Sequence, residues 1–209
     1  MRRGALGGVR LFAPGVKRPA VIGDATPWTE GADGAPLRLA PGGFAQAHPE
    51  VNAALARRVA ELVGDAEKVV ELYAGAGNLT VMLARRASVA AVESDAGSCD
   101  AARANLAARG LSAKVTQADA SSFAVPKNTP AVVLDPPRAG AREACERLAA
   151  AAPKRVVYVS CDPQTLGRDL AVLCGAGLEV RAADAFEMFP HTSHVEGVVL
   201  LERAKRGAR

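Results

Sequence analysis

An open α/β sheet, mostly parallel and covered by helices on both faces, is the fold class this sequence predicts, on three observations. Short apolar runs rich in Val, Ala and Leu alternate with amphipathic stretches from Lys68 onward, the pattern of repeated βα units. A glycine turn, Ala74-Gly75-Ala76-Gly77-Asn78, follows the first of these runs and leads into a helix. The last two runs have no helix between them, which predicts an antiparallel pair closing the sheet. The 209 residues suit one domain.

From Met1 to Gly43 the chain is dense in Gly, Ala and Pro without a sustained period, so an irregular basic arm with at most short strands is expected. From Pro49, residues Val51, Leu55, Val59, Leu62 and Val63 share one helical face until Gly64 stops it. Strands are then expected at Lys68–Tyr73, Ser88–Glu93, Ala113–Ala118, Ala131–Leu134, Arg155–Ser160, Leu178–Ala185 and Glu196–Glu202. Helices are expected near Leu79–Arg86, Ala96–Arg109, Ala141–Ala151 and Pro163–Leu173. The expected organisation is an arm over 1–43, the main domain over 44–203 and a basic tail over 204–209.

The net charge of +4 leans towards an anionic partner. Arg2, Arg3, Arg10, Lys17 and Arg18 precede the first acid, Asp24, and Arg203, Lys205, Arg206 and Arg209 close the chain. Two readings fit: tails along a phosphate backbone, or tails that are merely solvated. Cys99, Cys145, Cys161 and Cys174 form no C-x-x-C pair and no histidine interleaves them, so no metal site is expected and reduced thiols in a cytosol are. No segment approaches the roughly 20 apolar residues of a membrane span, and a soluble cytoplasmic protein is expected.

The run Val156-Val157-Tyr158-Val159 delivers Ser160-Cys161 to the C-terminal end of a strand, and Pro163 then opens a helix. That end of an α/β sheet is where ligands bind. Glu196 opens the final strand, and the antiparallel return brings it to the same rim, so a nucleophile and a base are expected together. A lone cysteine in such a sheet is ordinarily an inert, buried small hydrophobe. Gly75 and Gly77 permit close backbone approach to a ligand, and Glu93, about 20 residues on, stands where an acid hydrogen-bonds a ribose diol. Thr80 replaces the third glycine of the dinucleotide fingerprint, which disfavours a pyrophosphate. Asp119 and Asp135 at the next strand ends suit an adenosine cofactor without phosphates, S-adenosylmethionine.

These segments resemble the catalytic domain of the RNA 5-methyluridine (uracil-C5) methyltransferases. The resemblance rests on Phe44-Ala45-Gln46, Leu72 to Thr80, Glu93, Asp119, Asp135-Pro136-Pro137-Arg138, Ser160-Cys161-Asp162-Pro163 and Phe189-Pro190-His191-Thr192-Ser193-His194-Val195-Glu196. It implies a Rossmann-like class I S-adenosylmethionine-dependent methyltransferase fold, a seven-stranded sheet with a C-terminal antiparallel hairpin, and methylation of a uridine in tRNA or rRNA. Cys161 would then be the nucleophile and Glu196 the proton acceptor, while Gln46, Tyr73, Asn78, Glu93, Asp119 and Asp135 would line the pocket for cofactor and base. Thiolate addition at C6 makes C5 of uracil nucleophilic, and the carboxylate removes the C5 proton afterwards. Asp135 and Gln46 could satisfy the polar edge of a base taken out of its stack.

Two positions depart from the family: Asp162 and His48 stand where asparagine is usual. A negative charge beside Cys161 disfavours its thiolate unless Asp162 caps the next helix. Family members also carry an RNA-binding barrel and an inserted domain before the catalytic part, so RNA selection is expected from the N-terminal arm or a separate chain. The alternatives are a cofactor- or RNA-binding subunit without activity, and a cytosine-C5 enzyme. The latter family uses a cysteine where this chain has Pro136-Pro137-Arg138. No residue identifies itself in the sequence as the one that ionises Cys161.

Overall fold

The structure is a computed structural model that describes residues 7–11, 13–15, 19–188, 191 and 195–203. Its elements are β1 (Gly8–Leu11), β2 (Ala20–Gly23), β3 (Trp28–Glu30), β4 (Pro36–Arg38), α1 (Pro49–Val63), β5 (Lys68–Leu72), α2 (Thr80–Leu83), β6 (Ser88–Glu93), α3 (Ala96–Ala107), β7 (Lys114–Gln117), β8 (Ala131–Leu134), α4 (Arg142–Ala151), β9 (Arg155–Ser160), α5 (Pro163–Gly175), β10 (Leu178–Phe186) and β11 (Glu196–Arg203). Seven strands form one sheet in the order β10-β11-β9-β8-β5-β6-β7. Strands β5 to β9 are parallel, and β11 inserts antiparallel between β9 and β10.

The apolar runs are continuous because both faces of the sheet are covered. Val69, Val133, Val157 and Val159 pack with Leu55, Val59 and Leu62 of α1 on one face. Val70, Leu72, Val132, Leu134 and Tyr158 meet Leu148 of α4 and Leu173 of α5 on the other. Several element ends differ from expectation by one or two residues, and two differences have a local cause. Tyr73 leaves β5 because its φ of 64° turns the chain into the glycine loop. Helix α2 is one turn, since past Thr80–Leu83 the backbone closes tighter bonds such as Arg86 N to Leu83 O.

Residues before Phe44 contribute to this core: Ala32, Leu37, Leu39 and Ala40 are buried. Asp33 fastens them. Arg109, after α3, grips its carboxylate with two bonds, Nε to Oδ2 at 2.7 Å and Nη2 to Oδ1 at 2.8 Å, and Arg85 adds a third at 2.8 Å. Both Asp33 and Arg109 have side chains only 7% exposed. The β1–β2 hairpin instead keeps Leu11, Val21 and Ile22 exposed. At the other end, Arg203 donates to the carbonyls of Pro153 and Ala176. Strand β11 runs from Glu196 at the ligand rim to Arg203, about 24 Å away at roughly 3.4 Å per residue. Arg203 therefore serves the far end of the sheet instead of a backbone bound at the rim. Arg2, Arg3, Lys17, Arg18, Lys205, Arg206 and Arg209 lie outside the described residues.

Removing one partner of a buried ion pair strands the other, at a cost of about 3–5 kcal/mol. Asp33→Asn is expected to lower unfolding stability by that order in urea titration. The bonds from Arg109 hold the Asp33 carboxyl at about 2 against an ordinary 3.8. A depressed folded value means that this stabilisation is complete above pH ~4 and is lost as pH falls towards 2. The wild-type and Asp33→Asn denaturation midpoints should therefore converge in acid; a constant gap from pH 7 to pH 2.5 would contradict it.

Candidate active site

The register of β9 and β11 builds the site. Ser160, the last residue of β9, lies opposite Gly197, so the chain passes into Cys161 at the rim where β11 begins with Glu196. In the parallel pair β8 and β9, Leu134 lies opposite Tyr158, which delivers Asp135 to the same rim. Glu196 is 4% exposed, whereas Cys161 is half-buried, unlike the buried Cys99 and Cys145 and the exposed Cys174.

Burial raises the Cys161 thiol above its ordinary value and the Glu196 charge raises it further. The Arg138 charge opposes both. Burial also raises the Glu196 carboxyl, and Arg138 again works against it. One guanidinium thus favours the ionised form of both groups. Sequence reading quoted Arg138 as part of a motif and missed this role; a cation at the end of the fourth parallel strand was the available signal. Asp135 is pushed up to about 7, by burial first and the Glu196 charge second.

Asp162 resolves one departure: its Oδ1 accepts from Gln164 N at 3.0 Å and Thr165 N at 2.8 Å, capping α5. Its charge is engaged by the first turn of the helix. His48, the other departure, stands at the N-cap of α1 without a side-chain capping bond.

On the cofactor side, Glu93 ends β6 and organises the glycine loop. Its Oε2 accepts from Gly75 N at 2.9 Å, and its Oε1 from Asp95 N at 2.8 Å and Ser94 Oγ at 3.2 Å. A carboxylate offers about four acceptor positions, so one remains on Oε2 for a ligand hydroxyl. Gly75 and Gly77 have φ of 54° and 86°, and nothing lies within 4 Å of where a Cβ on Gly75 would point. This open, left-handed turn beside an acid fits an adenosyl group. Gln46 Oε1 is buried without a partner, as a group awaiting a ligand donor would be. Asp119, exposed after β7, is lowered by its bonds with Ser121.

Two further residues expected at the pocket also have structural partners. The Asn78 amide exchanges bonds with Asn52 at 2.7 and 3.3 Å and accepts from Ala32 N at 3.0 Å, so it ties the loop to α1 and the N-terminal segment. Tyr73 packs its ring against the core under α4 and α5, and burial with the Asp119 charge pushes its hydroxyl up to about 12. Asn105, which sequence reading passed over, donates to Ala76 O at 2.9 Å and to Arg38 O at 2.8 Å, joining the loop to β4. Glu71, an acid inside the apolar strand β5, was also missed. It is 2% exposed, and neither its Oε2 nor the adjacent Thr80 Oγ1 has a hydrogen bond of good geometry. Burial, with the Asp135 charge adding, pushes Glu71 up to about 8. Among the described residues no group of three or more acidic, histidine or cysteine side chains could hold a metal.

A seven-stranded sheet of this order, with a glycine loop after its central strand and an acid ending the next, defines a class I S-adenosylmethionine-dependent methyltransferase fold. The methyltransferase small domain family matches residues 36–157, and the tRNA (uracil-5-)-methyltransferase family matches residues 124–204. The chain belongs to the RNA uracil-C5 methyltransferase family. A 23S rRNA (uracil(1939)-C(5))-methyltransferase of Alkalilimnicola ehrlichii is 39% identical over 81% of this chain and 40% of the relative. Its counterpart in Pseudomonas entomophila is 37% identical over 93% of the chain and 46% of the relative. The crystal structure of Pyrococcus abyssi tRNA (uracil-54, C5)-methyltransferase in complex with S-adenosyl-L-homocysteine superposes with a TM-score of 0.81 at 29% identity, over 95% of this chain and 51% of that one. The chain thus spans about half the length of the relatives it matches.

The buried acid yields a test of the site's electrostatics. A carboxyl raised in the folded state contributes stability below its unfolded value of 4.5 that is lost as pH rises through about 8. Wild-type stability should therefore fall between pH 5 and pH 8.5, and Glu71→Gln should flatten that fall. Identical pH profiles for the two proteins in chemical denaturation would show that Glu71 is not the strained group.

Proposed function

We propose that this chain methylates C5 of a uridine in rRNA or tRNA, in the cytoplasm, with S-adenosylmethionine as methyl donor. The observation that carries this reading is that the Ser160–Gly197 pair ends the β9–β11 ladder where Cys161 follows one strand and Glu196 opens the other, with the Arg138 charge acting on both. The relatives' own substrates, a uracil of 23S rRNA and a uracil of tRNA, support the RNA classes.

Glu93, the Gly75–Gly77 turn and Asp119 would hold S-adenosylmethionine, which would supply an electrophilic methyl group when bound. The chain's residues prepare and release the base. Arg138 stabilises the Cys161 thiolate, whose electron pair forms a bond to C6 of uracil and shifts density onto C5. Asp135, poised near neutrality, and Gln46 Oε1 hold the polar edge of the flipped base, as its lost pairing partners require. Once C5 carries its methyl group, Glu196 takes the remaining C5 proton. The C5–H electron pair restores the C5–C6 double bond, and the C6–S bond breaks to return the thiolate. The half-buried Cys161 and the raised Glu196 carboxyl, a stronger base than a solvated one, suit these roles.

Three variants separate the steps when labelled methyl transfer to RNA is followed by nucleoside analysis. Cys161→Ala is expected to abolish 5-methyluridine formation while binding S-adenosylmethionine normally in calorimetry. Glu196→Gln is expected to accumulate a protein–RNA adduct, because the methylated C5 keeps its proton. Glu93→Ala should weaken cofactor binding about ten-fold or more, since a hydrogen bond to a charged group contributes about 1.5–3 kcal/mol. Product from Cys161→Ala, or unchanged turnover in Glu196→Gln, would overturn the assignment.

A further inference from the structure

Arg138 sits in the loop between β8 and α4, exposed, in a tight turn closed by Gly140 N to Pro137 O at 2.8 Å. Such a loop would ordinarily leave an arginine free to sample many positions. Here helix α5, whose first turn begins just after Cys161, grips the loop. Thr165 Oγ1 lies 3.2 Å from Arg138 O and shares its one proton between that carbonyl and Asp162 Oδ1 and O, at 3.2 and 3.3 Å, and Arg168 Nη2 donates to Ala139 O at 2.9 Å. Asp169, fully buried, accepts from Ala141 N at 2.6 Å and from the Tyr158 hydroxyl of β9 at 2.7 Å through one oxygen, while the other pairs with Arg168 Nε at 2.9 Å.

Gly140 shows how close the clamp is. Its φ is +76°, and a Cβ there would lie 2.6 Å from Asp169 Oδ2 and 3.0 Å from Thr165 Cβ. Only glycine allows loop and helix to approach this far. Removal of the Asp169 charge from water is opposed by Arg168, Ala141 N and Tyr158, which keep the carboxyl below its ordinary value, so it remains a carboxylate in the neutral range.

We propose that Asp169 is a positioning residue for Arg138: anchored to Tyr158 and Arg168, it fixes the loop on helix α5 so that the guanidinium faces Cys161. The proposal rests on the coupling of Arg138 to Cys161 invoked above and adds the device that enforces it. Cys161 and Arg138 are thereby referred to the same helix, Cys161 at its entry and Arg138 through its backbone. The charged and titratable groups facing the thiol are Arg138, Glu196 and, beyond Glu196, Asp135; Asp162 spends its charge on capping α5. Asp169 acts on Cys161 only through the loop.

The test is the pH dependence of Cys161 alkylation by iodoacetamide, read on the Cys161 peptide by mass spectrometry in the full chain with Cys174→Ser. Asp169→Asn is expected to raise the midpoint by about half a pH unit or more, a roughly threefold slower alkylation at pH 7. A direct field effect has the opposite sign, since deleting a negative charge would lower the midpoint. Arg138→Gln should raise it further, and adding Asp169→Asn to Arg138→Gln should change nothing more, as expected when one residue acts through another. Thr165→Val removes the contact to Arg138 O together with the hydroxyl's contacts to Asp162, whose bonds from Gln164 N and Thr165 N it leaves in place; it should shift the midpoint in the same direction by a smaller amount, Thr165→Ser should not, and the pair carries the test if Asp169→Asn fails to fold. A midpoint that falls or stays in a folded Asp169→Asn protein while Arg138→Gln raises it overturns the clamp and leaves the Arg138 role standing. If Arg138→Gln leaves the midpoint unchanged, the coupling itself fails and the clamp with it.

Discussion

The antiparallel register between β9 and β11 is the constraint on which this site depends. Four of the backbone pairs that set it, from Val159 opposite Val198 to Val156 opposite Leu201, lie between the two faces of the core. Because side chains alternate with period two, a slip of one residue would turn the buried Val198 and Leu200 out of their face and move Glu196 away from Cys161. Apolar packing therefore enforces a polar juxtaposition at the strand ends. The chemistry needs no contact between Cys161 and Glu196 in the resting chain, only that both reach one ring from one edge.

The second constraint is electrostatic. Glu71, Asp135 and Glu196 occupy neighbouring strand ends or interiors, and each has its carboxyl raised by burial. The low dielectric that raises them also raises the thiol, which works against a nucleophile. Arg138 is the counterweight, coupled to both Cys161 and Glu196, and the clamp on its loop gives that counterweight a fixed place. A buried carboxylate such as Asp169 is costly by itself and is tolerated because each of its oxygens is matched by donors from the loop, β9 and α5.

The parallel strands were legible in the sequence because burial on both faces leaves uninterrupted runs such as Ala131–Leu134, and the hairpin because no helical pattern separates the last two apolar runs of the sequence. The positions of Cys161, Glu196, Glu93 and Asp135 at or beside strand ends were legible because periodicity identifies where strands end. What escaped depends on contacts distant in sequence. Asn105 joins the glycine loop to β4 across 29 and 67 residues, and Asp33 meets Arg109 across 76. No local pattern encodes such bonds. The partners of Asn78 were equally illegible: its place in the glycine motif suggested the pocket, and its amide also ties that loop to Asn52 and Ala32. The N-terminal segment read as irregular because its strands are three or four residues long, too short to show a period.

The central claim is that Cys161 and Glu196 act in sequence on one base, and RNA carrying 5-fluorouridine tests it most directly. With fluorine in place of the C5 proton, Glu196 has no proton to remove, so the Cys161–C6 bond should persist after methyl transfer. The account predicts a denaturation-resistant complex of the full chain with that RNA, dependent on S-adenosylmethionine, whose proteolysis yields the methylated fluorouridine linked to the Cys161 peptide. Absence of the adduct under conditions where ordinary RNA is methylated, or its attachment to another residue, would contradict it.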